Sequence, residues 1–183
     1  MELPKVLIED TRNQPGKHGN IHAFADLNGI RIVRSKLTVG DYSLPTNQSV
    51  CIDTKQDLGE VYNNLVQAHD RFARECDMAV ELGIRLVILV EDDEVDCLDN
   101  VHKWSNPRYK RYMMLKAGHE HGRWLGTKLP PKPPVSSKQL EVMMRTFAEH
   151  HGCEWQFCRK SETGLRICEI LMGDCFGSRR SET

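Results

Sequence analysis

The run Leu86-Val87-Ile88-Leu89-Val90 is apolar at every position. A strand with one wet face would alternate, so an unbroken run this short reads as a strand covered on both faces, and covering both faces requires helices on either side of a sheet. Helical spacing is present on both sides of the run. Before it, Leu58, Val61, Tyr62, Leu65 and Val66 make one apolar helical face, and Phe72, Cys76, Ala79 and Val80 make a second that stops at Gly83. After it, Ser136 and Gln139 form a capping box for a helix carrying Leu140, Met143, Met144 and Phe147 and ending at Gly152. Cys153 to Arg159 then reads as a strand with Trp155 and Phe157 on one side, and Ser161 starts a last helix with Leu165, Ile167, Cys168, Ile170 and Leu171. The expected class is α/β, a central sheet flanked by helices.

The N-terminal third supplies the other strands. Val6-Leu7-Ile8 is a short buried strand running into Glu9-Asp10-Thr11-Arg12. Asn13 to Lys17 is a loop, Ile21 to Leu27 a short helix closed by Asn28-Gly29, and Ile30 to Val33 a strand. Leu37 to Leu44 and Val50 to Lys55 then read as a hairpin, with Pro45 to Ser49 as turn material. Side chains alternate across a strand, so Asp53 and Lys55 share a face. Pairing Leu44 with Val50 across a five-residue loop places Asp41 opposite Asp53, at the roughly 5 Å of cross-strand neighbours. A four-residue loop without a bulge would put the two on opposite faces, so the five-residue loop or a bulge is expected. Two facing carboxylates repel unless a proton or cation lies between them, and oxygen-only ligation suits a hard ion, Mg2+ or Mn2+. Lys55 beside such an ion is placed to polarise a water or hold a phosphate.

At 183 residues, 39% hydrophobic and 28% charged, the chain has the size and composition of one well-cored domain, taken here as residues 1–176 with 177–183 as a disordered tail. No apolar run approaches the length of a membrane span, and Met1-Glu2-Leu3-Pro4-Lys5 lacks the pattern of a signal peptide, which predicts a cytoplasmic protein, or a nuclear one in a eukaryote. Seven cysteines without paired spacing read as reduced core residues. A net charge of −1 excludes a uniformly basic nucleic-acid binder, so binding has to come from a local patch. One exists. Asp92, Asp93, Glu94, Asp96 and Asp99 form an acidic loop without the spacing of a calcium loop, and the composition then inverts across 101–134. That insertion carries Lys103, Arg108, Lys110, Arg111, Lys116, Arg123, Lys128 and Lys132 against Glu120 alone, interleaved with Trp104, Tyr109, Tyr112 and Trp124. Basic groups that neutralise phosphates, mixed with aromatics that stack on bases, are what a nucleic-acid surface requires. His119-x-His121, and His150 with Cys153 and Cys158, match no standard zinc module.

Val6 to Arg12, Leu37 to Tyr42, Ile52-Asp53-Thr54-Lys55, Asp57-Leu58, the Arg71-Phe72 helix and the Leu89-Val90-Glu91 strand end, taken in order, resemble the nuclease domain of the XPF family, within the PD-(D/E)xK superfamily. The resemblance implies a restriction-endonuclease-like mixed central sheet and metal-dependent endonuclease activity on DNA. It implies Asp10, Asp41 and Asp53 as metal ligands together with the main-chain carbonyl of Thr54, with Lys55 as the catalytic lysine and Glu9 as Asp10's nearest competitor. It makes Arg12 a helper near the phosphate, while the composition of the basic insertion, which the resemblance does not cover, gives Lys103, Arg108, Lys110, Arg111 and Arg123 as further nucleic-acid contacts. Two positions depart from the family pattern. Its Glu-Arg-Lys is Asp53-Thr54-Lys55 here, and the acid four residues after the lysine meets Gly59, leaving Asp57 or Glu60 as stand-ins. No tandem helix-hairpin-helix follows, so the expected form is a compact, free-standing bacterial or phage type acting on branched or otherwise structured DNA, alone, as a homodimer or with another protein. The alternatives are a catalytically silent nucleic-acid-binding or assembly module of the same fold, and a restriction-type or RNA-directed nuclease.

Overall fold

A computed structural model describes residues 3–14, 16, 18–122 and 128–177. The chain runs β1 (Val6–Glu9), α1 (Gly19–Leu27), β2 (Arg31–Arg34), β3 (Tyr42–Leu44), β4 (Asn47–Lys55), α2 (Leu58–Val66), α3 (His69–Glu81), β5 (Arg85–Glu91), a 3-10 turn (Leu98–Lys103), α4 (Pro107–Glu120), α5 (Ser137–His151), β6 (Glu154–Cys158) and α6 (Thr163–Gly177). The strands form one sheet in the order β2-β1-β3-β4-β5-β6. β1 and β2 are parallel, as are β4, β5 and β6, while β3 runs antiparallel to both β1 and β4. The architecture is therefore α/β with a mixed sheet.

The apolar run at Leu86 is β5, and both of its faces are buried as its composition requires. Leu86, Ile88 and Val90 pack with Leu58, Phe72, Leu140 and Phe147 under α2, α3 and α5. Val87 and Leu89 pack with Ile21, Ile52, Ile167 and Leu171 under α1 and α6. Residues 51, 53 and 55 of β4 thereby face the α2–α3 layer, and 50, 52 and 54 the α1–α6 layer.

The hairpin differs from its sequence pattern in two respects. Residues 37–41 are not strand; β3 begins at Tyr42. The turn is only Pro45-Thr46, because Leu44 pairs with Asn47, and a bulge between Leu44 and Tyr42 restores the register so that Tyr42 pairs with Ile52. Of the two expected solutions, the molecule uses the bulge. The ladder fails at 37–41 because side chains claim the amides there: Leu37 N donates to Asp10 Oδ2 at 2.6 Å and Gly40 N to Glu75 Oε1 at 3.1 Å. Gly40 also has φ +72°, and a Cβ there would stand 2.9 Å from Ile52 O. Gly40→Ala is expected to lower stability by about 2 kcal/mol, read as a shifted urea midpoint.

Other boundaries moved little, with physical causes. Val66, Val80 and Leu165, counted in apolar faces, are 40%, 56% and 39% exposed at the edges of those faces. Within the basic insertion lies the helix α4, capped by Asn106, whose Oδ1 accepts from Arg108 N at 3.0 Å, with Pro107 at its first position. Gly177, assigned to the tail, is the last residue of α6, and 178–183 lie outside the described residues. Among the described residues no helix is long and apolar enough to cross a membrane.

Candidate active site

β4 delivers Asp53 and Lys55 to one face, as alternation dictates. Lys55 Nζ donates to Asp53 Oδ1 at 2.8 Å and to Oδ2 at 2.6 Å, and the Phe72 ring of α3 lies 5.1 Å from the ammonium. Both residues are nearly closed to solvent, Asp53 at 5% and Lys55 at 7%. Asp41 arrives from the irregular segment before β3, and its Oδ2 accepts from Thr54 N at 2.9 Å and Thr54 Oγ1 at 2.7 Å. Thr54 thus clamps the first carboxylate to the strand bearing the second.

Charge at this point is unbalanced. An isolated ion pair lowers the acid's pKa and raises the base's, yet here both rise. Burial, outweighing the attraction of Lys55 and aided by repulsion from Asp41 and Glu60, pushes Asp53 up to about 6. Burial alone would lower Lys55, but attraction to Asp53, Asp41 and Glu60 raises it. One ammonium among three carboxylates leaves excess negative charge that a proton or a cation relieves. In metal-free protein the Asp53 carboxyl 13C resonance is expected to titrate near pH 6, against 3.8 for an ordinary aspartate. Because the folded value is the higher one, this group favours the native state at low pH, and that contribution is lost as pH rises through it.

Asp57 and Glu60, the two acids that follow Lys55, have different surroundings. Asp57 caps α2, with Oδ1 accepting from Glu60 N at 2.7 Å, and is committed to the helix. Glu60 adds its negative charge to that of Asp41 around the Asp53–Lys55 pair, and its Oε2 accepts from Gln56 N at 3.0 Å. A residue that pattern reading passed over is Glu75, which fixes the Gly40 amide next to Asp41 and attracts Arg12. It follows Phe72 by one helical turn, which puts both on the side of α3 facing the hairpin.

The two first-strand acids lie on opposite faces of the sheet. Glu9 belongs to the α1 side, where its Oε1 accepts from Tyr42 OH at 2.9 Å and meets His22 Nε2 at 3.1 Å. Asp10 is on the site's side, but both its oxygens are engaged: Oδ1 accepts from Arg12 N at 2.7 Å and Arg12 Nε at 2.8 Å, and Oδ2 from Arg12 Nη2 at 3.1 Å and Leu37 N. Among the described residues no three His, Cys, Asp or Glu side chains converge as a metal-binding group, so Asp10, Asp41 and Asp53 are not gathered at one point. Arg12 neighbours Asp41 electrostatically while paired to Asp10.

Of the basic set, Arg108 reaches the rim of the site, its guanidinium 4.9 Å from the Tyr62 ring centroid and lining a cavity with Gln56, Asp57 and Glu60. Lys103, Lys110 and Arg111 are exposed. Arg123 lies outside the described residues.

Neither a family model nor a curated protein matches the chain in sequence. Solved structures do match. XPF from Aeropyrum pernix superposes with a TM-score of 0.58 at 15% identity over 96% of this chain and 66% of that one. The same protein in complex with DNA superposes at 0.57, with 15% identity, over 94% and 66%. The chain thus spans about two thirds of the length of that protein. The mixed six-stranded sheet with its flanking helices is the α/β fold of XPF from Aeropyrum pernix.

Proposed function

We propose that the chain is a divalent-metal-dependent nuclease that hydrolyses DNA phosphodiester bonds at branched or otherwise structured sites. The observation that carries this reading is the buried Lys55–Asp53 pair with Asp41 and Glu60 around it, a cluster whose surplus of carboxylates needs a cation. As a purely structural device it would be poor, since burying charges costs more than an apolar core of the same volume. Its donors are all hard oxygens, which fits Mg2+ or Mn2+: Asp41, Asp53 and the Thr54 carbonyl would hold the ion, with Asp10 joining if Arg12 releases it. A bound ion supplies Lewis acidity to the phosphate and lowers the pKa of a water. Lys55 then places positive charge where the phosphate accumulates negative charge, and Thr54 keeps Asp41 aligned. DNA as substrate is supported by the XPF–DNA complex that shares the fold.

The test is a cleavage panel of flapped, branched and linear DNA, with RNA counterparts, in Mg2+, Mn2+ and EDTA. Metal-dependent cutting of structured DNA is expected; cutting that survives EDTA would refute the assignment. The engagement of Asp10 by Arg12 favours a second reading, a silent binding module. Under that reading DNA binds equally well with and without Mg2+, and Asp41→Asn changes nothing in a calorimetric metal titration.

The exposed cations of α4 provide a separate check. Replacing Arg108, Lys110 and Arg111 with alanine is expected to weaken DNA binding and flatten its salt dependence, with Mg2+ binding retained. An unchanged salt slope would show that α4 does not touch the phosphates.

A further inference from the structure

We infer that the cavity between α2 and the start of α4 is a subsite for one unpaired nucleobase of the strand being cut, an inference that rests on the nuclease reading. The cavity holds about 240 Å³, and its walls include Tyr62, Trp104, Pro107 and Arg108. The Arg108 guanidinium lies over the buried Tyr62 ring, 4.9 Å from its centroid, and half-buried Trp104 is a further part of the lining. An indole and a guanidinium plane are both surfaces on which nucleic-acid bases stack without regard to sequence.

The walls are fixed before any ligand arrives. The Trp104 carbonyl accepts from Asn106 N at 3.1 Å and from the Ser137 hydroxyl, and Trp104 N donates to Val101 O at 2.9 Å. Asn106 caps α4 through its Oδ1 and ties the helix start to Val135 O through Nδ2 at 2.8 Å. A preformed pocket spends little of its binding energy on ordering side chains.

Position selects the occupant. A second cavity, lined by Gln56, Glu60 and Asn63, shares Asp57, Gly59 and Arg108 with the first, and Gln56 directly follows Lys55. The two cavities therefore adjoin, and Glu60, whose charge acts on both Asp53 and Lys55, lines the one nearer the pair. The carboxylates of Asp57 and Glu60 in these linings repel a phosphate, so the group that enters is the uncharged base, with its phosphates left outside near Lys110 and Arg111. Gly59 leaves the wall they share free of a side chain. A base stacked inside a duplex cannot reach such a pocket, which restricts cutting to bonds next to an unpaired nucleotide.

The experiment is an abasic scan on the wild-type protein. Flapped DNA carries a single abasic site at successive positions around the mapped cut, and affinity is read by fluorescence anisotropy in Ca2+. One position is expected to weaken binding about tenfold, within the range of a single base–aromatic stack. Trp104→Ala is expected to bind intact DNA about tenfold more weakly and to lose that positional effect, and Trp104→Phe to recover most of both. Uniform affinity across the wild-type scan, with cleavage intact, would overturn the subsite alone. Positional discrimination that persists in Trp104→Ala would overturn it as well. Failure of the wild type to bind or cut any DNA would overturn the subsite and the nuclease reading together.

Discussion

Lys55→Ala is expected to reduce cleavage by about three orders of magnitude, the scale on which a positioned electrostatic group acts in a transition state. Undiminished cutting by this variant would remove Lys55 from the mechanism. The same substitution perturbs the fold, and the two effects are separable. Lys55 is the ammonium that both Asp53 oxygens accept from, and breaking a buried pair by deleting one partner typically costs about 3–5 kcal/mol. Asp53 has an escape, since its carboxyl already rises to about 6 with the lysine in place and rises further without it. Taking up a proton caps the loss. The variant should therefore be close to wild type in stability at pH 5 and clearly weaker at pH 8, because an acid whose folded pKa lies above its unfolded one stabilises only at low pH. Mg2+ should raise the melting temperature of Lys55→Ala at pH 8 while cleavage stays absent, since a cation can neutralise the carboxylates without supplying the lysine's chemistry.

Asp10→Ala is expected to cost about 3 kcal/mol of stability, since the carboxylate is buried and fully hydrogen-bonded. Its carboxylate accepts the amides of Arg12 and Leu37 and two guanidinium bonds, and Leu37 is buried, so alanine strands a donor with no water to replace the acceptor. Burial alone would raise the Asp10 pKa, but the side-chain and backbone bonds from Arg12 and the Leu37 amide hold it below 3.8. The sign is thus opposite to that of Asp53. Asp10's contribution is present above the ordinary carboxylate value and disappears as pH falls through the depressed one, so urea melts of wild type and Asp10→Asn should converge in strong acid. Calorimetry on Asp10→Asn decides its second role. Unchanged Mg2+ affinity makes Asp10 a brace for the segment before β3; a loss of tenfold or more makes it a ligand that Arg12 guards.

Much of this was legible in the residues, and the exceptions have physical causes. The unbroken run in β5 required cover on both faces, and strand alternation put Asp53 and Lys55 together, because each rule depends only on the local chain. The segment 37–41 misled because its apolar alternation satisfies a strand pattern, while Asp10 and Glu75, distant in sequence, take its amides. Glu75 carried no local signal: a glutamate on a helix is ordinarily a solvated surface, and only the packing of α3 against the hairpin gives it a partner. The pairing of Asp10 with Arg12 was open to inspection at a spacing of two residues, yet its strength depends on Leu37 closing over it. The helix α4 went unread because the same basic and aromatic residues fit a surface loop, and Asn106-Pro107 marks its start only once the helix is known.

β4 lies inside the sheet, with six consecutive residues from Val50 to Lys55 laddered to β5, whereas Asp41 sits just outside any ladder and is held by Thr54, Ile52 and Asp10. The two halves of the site therefore differ in how they exchange with solvent deuterium. Amides of residues 52–55 should be released only when the whole sheet opens, and those of Leu37 to Asp41 by local fluctuation, at free energies well below the global value. One carboxylate is anchored to the most persistent part of the molecule, while the other hangs on a few bonds at the end of a segment outside the ladder, so Thr54 is the point where the two kinds of opening meet.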